Sequence, residues 1–164
     1  MKKLIIINGA PGVGKTTVSK ELYKSLHKSV WLDGDWCWMM NPWVVTEENI
    51  KMVESNITYL LRNYVSNSTF DYIIFNWVLH REEIMLRLLE GIHDLQYELT
   101  TITLTCTNES LRERMLLDNR TQEQIETSCN KLKLYEEMKT YKIDTTNMSS
   151  IEAVIKIKEL IKVL

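Results

Sequence analysis

One residue beyond the apolar run Leu4-Ile5-Ile6-Ile7, residues Gly9-Ala10-Pro11-Gly12-Val13-Gly14-Lys15-Thr16 spell G-x-x-x-x-G-K-T. No other feature restricts the fold as strongly, because this spelling works only between a buried strand that delivers the loop and a helix that begins inside it. Gly9, Gly12 and Gly14 let the backbone curl so that successive N–H groups, that of Val13 included, point inward at phosphate oxygens. Lys15 adds a mobile positive charge suited to β- and γ-phosphates, and the Thr16 hydroxyl suits Mg²⁺. The helix expected from Lys15 to about Leu26 aims the positive end of its dipole at the same point.

The rest of the chain repeats the alternation. Val30-Trp31-Leu32, Tyr72-Ile73-Ile74-Phe75, Thr101 to Thr105 and the shorter Tyr141-Lys142-Ile143-Asp144 read as strands. Between Glu47 and Tyr64, Ile50, Val53, Ile57, Leu60, Leu61 and Tyr64 recur at helical spacing, with Thr46 as N-cap. Further helices are expected over Glu82–Leu89 and Glu109–Leu117, and a more exposed one over Gln122–Met138. A further, final helix is opened by the capping-box spelling Ser149-Ser150-Ile151-Glu152 and runs to about Val163. Strands alternating with helices imply an α/β fold with a parallel sheet covered on both faces. No linker or repeat divides the 164 residues, so a single domain is expected over 1–164.

Composition narrows the function by exclusion. A net charge of −2 offers no electrostatic reason to expect nucleic acid or an anionic membrane as partner. The apolar start is too short for a signal peptide, and no stretch is long enough to span a bilayer, which points to the cytoplasm. Three cysteines, Cys37, Cys106 and Cys129, lack metal-site spacing and are expected as reduced packing residues.

In an open parallel sheet the ligand lies beyond the carboxyl ends of the strands. After the second strand stands Asp33-Gly34-Asp35, which on its own also suits an ordinary acidic turn. Behind a phosphate loop, the two carboxylates can divide labour: one orients Mg²⁺, the other accepts a proton from an attacking hydroxyl. After the third strand comes Asn76, with no carboxylate, which assigns the metal role to Asp33 and the base role to Asp35. His80 and Arg81 follow as candidate substrate contacts, although a histidine at a helix start is commonly structural. After the fourth strand, Arg112 suits a solvated helix face, while Arg114 and Arg120 are candidates to stack on a base and clamp phosphates.

The pattern resembles the compact P-loop kinase group that includes shikimate, gluconate and adenylate kinases, chloramphenicol phosphotransferase and the tunicamycin-resistance protein. The spelling Gly9 to Thr17 carries the likeness most specifically, and Asp33-Gly34-Asp35 is similar to the D-x-D of shikimate kinases. The resemblance implies a five-stranded sheet in the order 2-3-1-4-5 and ATP with Mg²⁺ as cofactors. Thr16 and Asp33 would hold the metal. Thr17, Arg114 and Thr145 would join the loop around the nucleotide, with Thr145 in the adenine-side segment Ile143-Asp144-Thr145-Thr146. It further implies an acceptor-binding region over about 35–67 and a lid over about 115–131, with Arg120 where the lid begins. The missing aspartate after the third strand, and the absence of the D-G-F-P-R segment of adenylate kinases, are departures.

Trp36, Trp38 and Trp43 crowd the acceptor region, and Val30 to Ile50 contains no lysine or arginine. A phosphorylated acceptor needs cations, so a neutral or cationic small molecule is expected, held against aromatic faces. The tryptophans equally suit core packing, and Trp31 and Trp77 are expected there. The chain therefore reads as an ATP-dependent phosphotransferase acting on a hydroxyl. Its catalytic residues would be Lys15, Asp35 and Arg120, and its substrate contacts Asp35, Trp36, Trp38, Trp43, His80 and Arg81. A nucleoside monophosphate kinase, or a nucleotide-binding resistance or regulatory protein without transferase activity, are the alternatives.

Overall fold

Leu4, Ile5, Ile6 and Ile7 are buried to the last atom or nearly so, which only the central strand of a sheet covered on both faces allows. The computed structural model describes residues 1–162. Strand β1 (Lys3–Asn8) lies between β3 (Tyr72–Asn76) and β4 (Glu98–Thr105), with β2 (Ser29–Asp33) and β5 (Tyr141–Asp144) at the edges. All pairings are parallel and the order is β2-β3-β1-β4-β5, as expected. Successive side chains of a strand point to opposite faces, and this period divides the core in two. Ile5 and Ile7 join one cluster with Val18, Leu22, Leu111 and Ile157, beneath α1 (Lys15–Ser25), α4 (Asn108–Leu117), α5 (Gln122–Glu136) and α6 (Ser150–Leu160). Leu4 and Ile6 join the other with Val53, Ile57, Leu61 and Leu88, beneath α2 (Glu47–Ser66) and α3 (Glu82–Glu90).

Local signals set most boundaries. Thr46 accepts the Asn49 N–H at 3.1 Å as the N-cap of α2. Ser149 and Glu152 form the expected capping box of α6, and Thr121 with Gln124 forms one for α5. Three expectations need correction. A 3-10 turn, Gly34–Trp38, follows β2 where no helix was anticipated, because Asp33 caps it by accepting the Asp35 N–H. Helix α5 is mostly exposed, as expected, and also carries a buried stripe in which Ile125, Cys129, Leu132 and Tyr135 recur at spacings of three and four. Ile50 leaves the apolar face of α2 and stands exposed at its first turn. Trp31 is half-buried at the sheet edge rather than in the core, because its indole N–H is directed to Asn76 Oδ1 at 2.6 Å. The expected end of the last helix at Val163 lies outside the described residues. No described helix is long and apolar enough to cross a membrane.

Candidate active site

The loop between β1 and α1 is shaped by contacts from α4. Gly12 has φ +83°, and a Cβ there would lie 2.4 Å from Met115 Cγ, so a larger residue is excluded by backbone and space together. Behind it, Ser128 of α5 donates to Pro11 O at 2.5 Å. Helix α1 opens at Gly14 with no side-chain cap, which leaves its first N–H groups to the loop.

Lys15 is 9% exposed, and its Nζ donates to Gly9 O at 2.8 Å and Ala10 O at 3.0 Å. Burial pulls its pKa from 10.5 down to about 8, against the pull of the Asp35 and Asp33 carboxylates. Thr16 Oγ1 donates to Asp33 Oδ2 at 2.8 Å, while Asp33 Oδ1 accepts the Asp35 N–H at 3.0 Å. Partial burial and then the neighbouring Asp33 carboxylate hold the Asp35 carboxyl above the usual carboxylate range. The charges of Lys15 and Arg120 oppose the shift. Four residues singled out in the sequence, Lys15, Thr16, Asp33 and Asp35, are thus brought together at the carboxyl end of the sheet, while Arg120 stands on an exposed turn and reaches Asp35 by charge alone. Thr16 and Asp33 together present hard oxygen donors of the type Mg²⁺ takes.

Trp77 fills the core, as expected, and also packs against the glycine of the acidic turn. It is buried, and its ring lies where a Cβ on Gly34 would come within 2.4 Å, which accounts for the glycine of D-G-D. The signal was legible in principle. Asp33 pairs with Asn76 in the β2–β3 register, so the next residues along, Gly34 and Trp77, leave the sheet side by side. Asn76, in place of the expected aspartate, spends its Oδ1 on Trp31.

Val13, Gly14, Thr17, Arg114 and Thr145 line one cleft of about 190 Å³ beside the loop. Val18, Met148, Ser149, Ser150 and Ala153 complete it and were not anticipated. Arg114 Nη1 donates to Val13 O at 3.1 Å and Thr145 Oγ1 at 3.0 Å, and Nη2 to Thr145 O at 2.5 Å. It therefore ties α4 to both the loop and the segment after β5.

His80 and Arg81 line a second, larger cleft of about 920 Å³, whose apolar wall is Ile50, Ile84, Leu134 and Met138. Burial, then Lys131 and Arg81, hold His80 below its usual pKa. Trp36, Trp38 and Trp43 are not among the residues of that wall. Trp36 packs edge-on to Trp31 at 4.8 Å, and Trp38 tilts against Trp43 at 6.0 Å. Trp36 remains 49% and Trp43 66% exposed, so neither fills the core, whereas Trp38 packs partly against it. Of region 115–131, the end of α4 and the start of α5 are anchored by Met115 and Ile125, and the turn bearing Arg120 is what stands exposed.

Solved structures share this architecture. The tunicamycin resistance protein of Deinococcus radiodurans superposes with TM-score 0.70 at 19% identity, over 100% of this chain and 98% of that one. Shikimate kinase from Acinetobacter baumannii gives 0.67 at 19%, over 99% and 93%. A gluconokinase from Sinorhizobium meliloti 1021 gives 0.68 at 15%, over 98% and 95%. No curated protein matches the chain in sequence. A model of the AAA domain matches residues 5–142, most of the length. With that match and this sheet order, the chain belongs to the AAA domain family and has the fold of the P-loop small-molecule kinases.

Proposed function

We propose that the protein is an ATP-dependent kinase that moves the γ-phosphoryl to a hydroxyl of a neutral or cationic small molecule, such as a nucleoside, a sugar derivative or an antibiotic. The observation that carries the reading is Asp35. It is a carboxylate just past the strand end with a raised pKa, its N–H bonded to the Asp33 that Thr16 also binds, and within charge reach of Lys15. Two kinases and a resistance protein on the same fold make the assignment consistent with known uses of the architecture.

The residues fit the cofactors. Thr16 Oγ1 and Asp33 would hold Mg²⁺, the loop N–H groups and Lys15 the phosphates, and the cleft beside Arg114 the base. ATP supplies the phosphoryl group and Mg²⁺ offsets its charge. Lys15 would exchange the carbonyl oxygens of Gly9 and Ala10 for phosphate oxygens. Asp35 orients the acceptor hydroxyl and takes its proton; a carboxyl titrating above the usual range is a better base for that step. Arg120 lies within charge reach of Asp35 and would steady the transferring group from the exposed turn.

The charge of the larger cleft supports an acceptor without a phosphate. Arg87, one of the two arginines that line it, binds Glu54 of the same lining at 2.9 and 2.7 Å, so its charge is offset there. Outside the cleft, Arg62 binds Asp94 at 2.7 and 2.5 Å. The test is an ADP-release screen with ATP against nucleosides, sugars, antibiotics and the four common nucleoside monophosphates, with Lys15→Ala as blank. Turnover of a hydroxyl compound supports the proposal, and turnover of monophosphates alone replaces it with a nucleotide kinase.

A further inference from the structure

Strand β1 ends on Asn8, which continues the row of Leu4 and Ile6 one residue before the phosphate loop. A leucine would suit that row. The chain instead buries a carboxamide there, 1% exposed, and a buried polar group needs partners. Its Nδ2 donates to Leu79 O at 3.2 Å and to Met138 Sδ at 3.1 Å, and its Oδ1 accepts from Thr103 Oγ1 at 2.6 Å. The Leu79 carbonyl belongs to the peptide that leads into His80, and both His80 and Met138 line the larger cleft. One carboxamide therefore grips the cleft at the segment after β3 and at the residues after α5, from a backbone that runs on into the loop.

The neighbours of Asn8 also fix which way its carboxamide points. A carbonyl oxygen only accepts, so the nitrogen must face Leu79 and the oxygen Thr103. Thr103 spends its hydroxyl proton on Asn8, so the proton between Thr103 and Thr140, 2.5 Å apart, comes from Thr140. Thr140 in turn accepts from the Lys142 ammonium at 2.9 Å. The sheet register aligns this row, pairing Asn8 with Thr103 and Thr103 with Lys142. Every bond from Lys142 to Leu79 thus runs in one direction. The row ends on a fully buried leucine with φ +35°, a conformation that such a residue keeps only when its surroundings impose it.

We propose that Asn8 is a positioning residue: its carboxamide holds the Leu79–His80 peptide and so fixes His80 in the wall of the larger cleft, in register with the phosphate loop. The inference rests on the reading of that cleft as the acceptor's site. It extends the working site to a side chain outside both the phosphate-loop motif and the acidic turn. Asn8 touches no reactant; it acts through His80, which would meet the acceptor.

The first test needs no acceptor. Diethyl pyrocarbonate acylates imidazoles, and mass spectrometry reads the rate at half-buried His80 against the exposed His27 and His93 as internal references. Asn8→Asp keeps an acceptor for Thr103 but turns an oxygen on the Leu79 carbonyl. Thr103→Val leaves Asn8 in place and frees its carboxamide to rotate, and it decides the matter if Asn8→Asp does not fold. In either variant His80 should react about threefold faster or more, with the reference rates and the MgATP Kd within about twofold of wild type. With a hydroxyl acceptor from the screen, its KM should rise about tenfold while kcat stays within about threefold, because the His80 contact is made before and during transfer alike. His80 reacting at the wild-type rate in a folded variant overturns this inference alone. So does a MgATP Kd that weakens in step with His80, or an acceptor KM that ignores its release. His80 released as expected, in a protein whose wild type phosphorylates no hydroxyl, upholds the positioning by Asn8 and overturns the kinase reading.

Discussion

Replacing Lys15 with methionine should raise the stability of the protein while abolishing its response to ATP. The ammonium is 9% exposed, and its pKa falls from 10.5 to about 8. Keeping it charged in the folded chain at neutral pH therefore costs on the order of 3 kcal/mol. Methionine fills a similar length without charge. The Gly9 and Ala10 carbonyls lose their donor, which returns roughly 1 to 2 kcal/mol of the gain. A net gain of about 1 to 2 kcal/mol corresponds to a rise of about 2–8 °C in Tm for a chain of this size. The pH dependence carries a definite sign. The folded lysine loses its proton near pH 8 and the unfolded one near 10.5, so the penalty is complete below pH 8 and fades as pH rises towards 10.5. Scanning calorimetry of both proteins at pH 7 and pH 10 should show the advantage of Lys15→Met shrinking at the higher pH. MgATP at about a hundred times Kd should stabilise the wild type by about 2.7 kcal/mol and the variant hardly at all. A variant less stable at pH 7, with a gap that pH does not alter, would refute the burial cost assigned to Lys15.

Because the same proton favours the bound phosphates, ATP affinity should be flat below pH 8 and fall by up to about tenfold per pH unit above it, as read by calorimetric titration. Gly34→Ala drives a Cβ to 2.4 Å from Trp77 and should cost about 1 to 3 kcal/mol in chemical denaturation. Arg114→Ala removes three hydrogen bonds that join Val13 to Thr145, and ATP binding by fluorescence titration should weaken about tenfold or more.

The parts legible in the sequence were those governed by local or periodic physics. Four apolar residues before a glycine-rich loop can hardly be other than a central strand, and β1 through α1 follows from that stretch alone. Ser149 and Glu152 announce a helix start through a three-residue spacing, so the cap was readable too. Trp31 and Trp77 looked equivalent because hydropathy does not record what a ring packs against; that depends on Asn76 for Trp31 and on Gly34 for Trp77, which the pairing of β2 with β3 brings in. The packed face of α5 escaped notice for a related reason. Ser128 and Cys129 are weakly apolar, and their burial is decided by the loop at Pro11 lying against them. Arg87 and Arg62 carried no sign in the sequence of their pairing with Glu54 and Asp94, across helices and loops.

The most direct test of the central claim follows ³²P from γ-labelled ATP into a hydroxyl acceptor, with ATP binding measured alongside, for the wild type and Asp35→Asn. The expected result is a phosphomonoester from the wild type and, from Asp35→Asn, at least about a hundredfold less product with the ATP Kd nearly unchanged. Tight ATP binding by the wild type with no phosphorylated product from any acceptor, or undiminished transfer by Asp35→Asn, would contradict it.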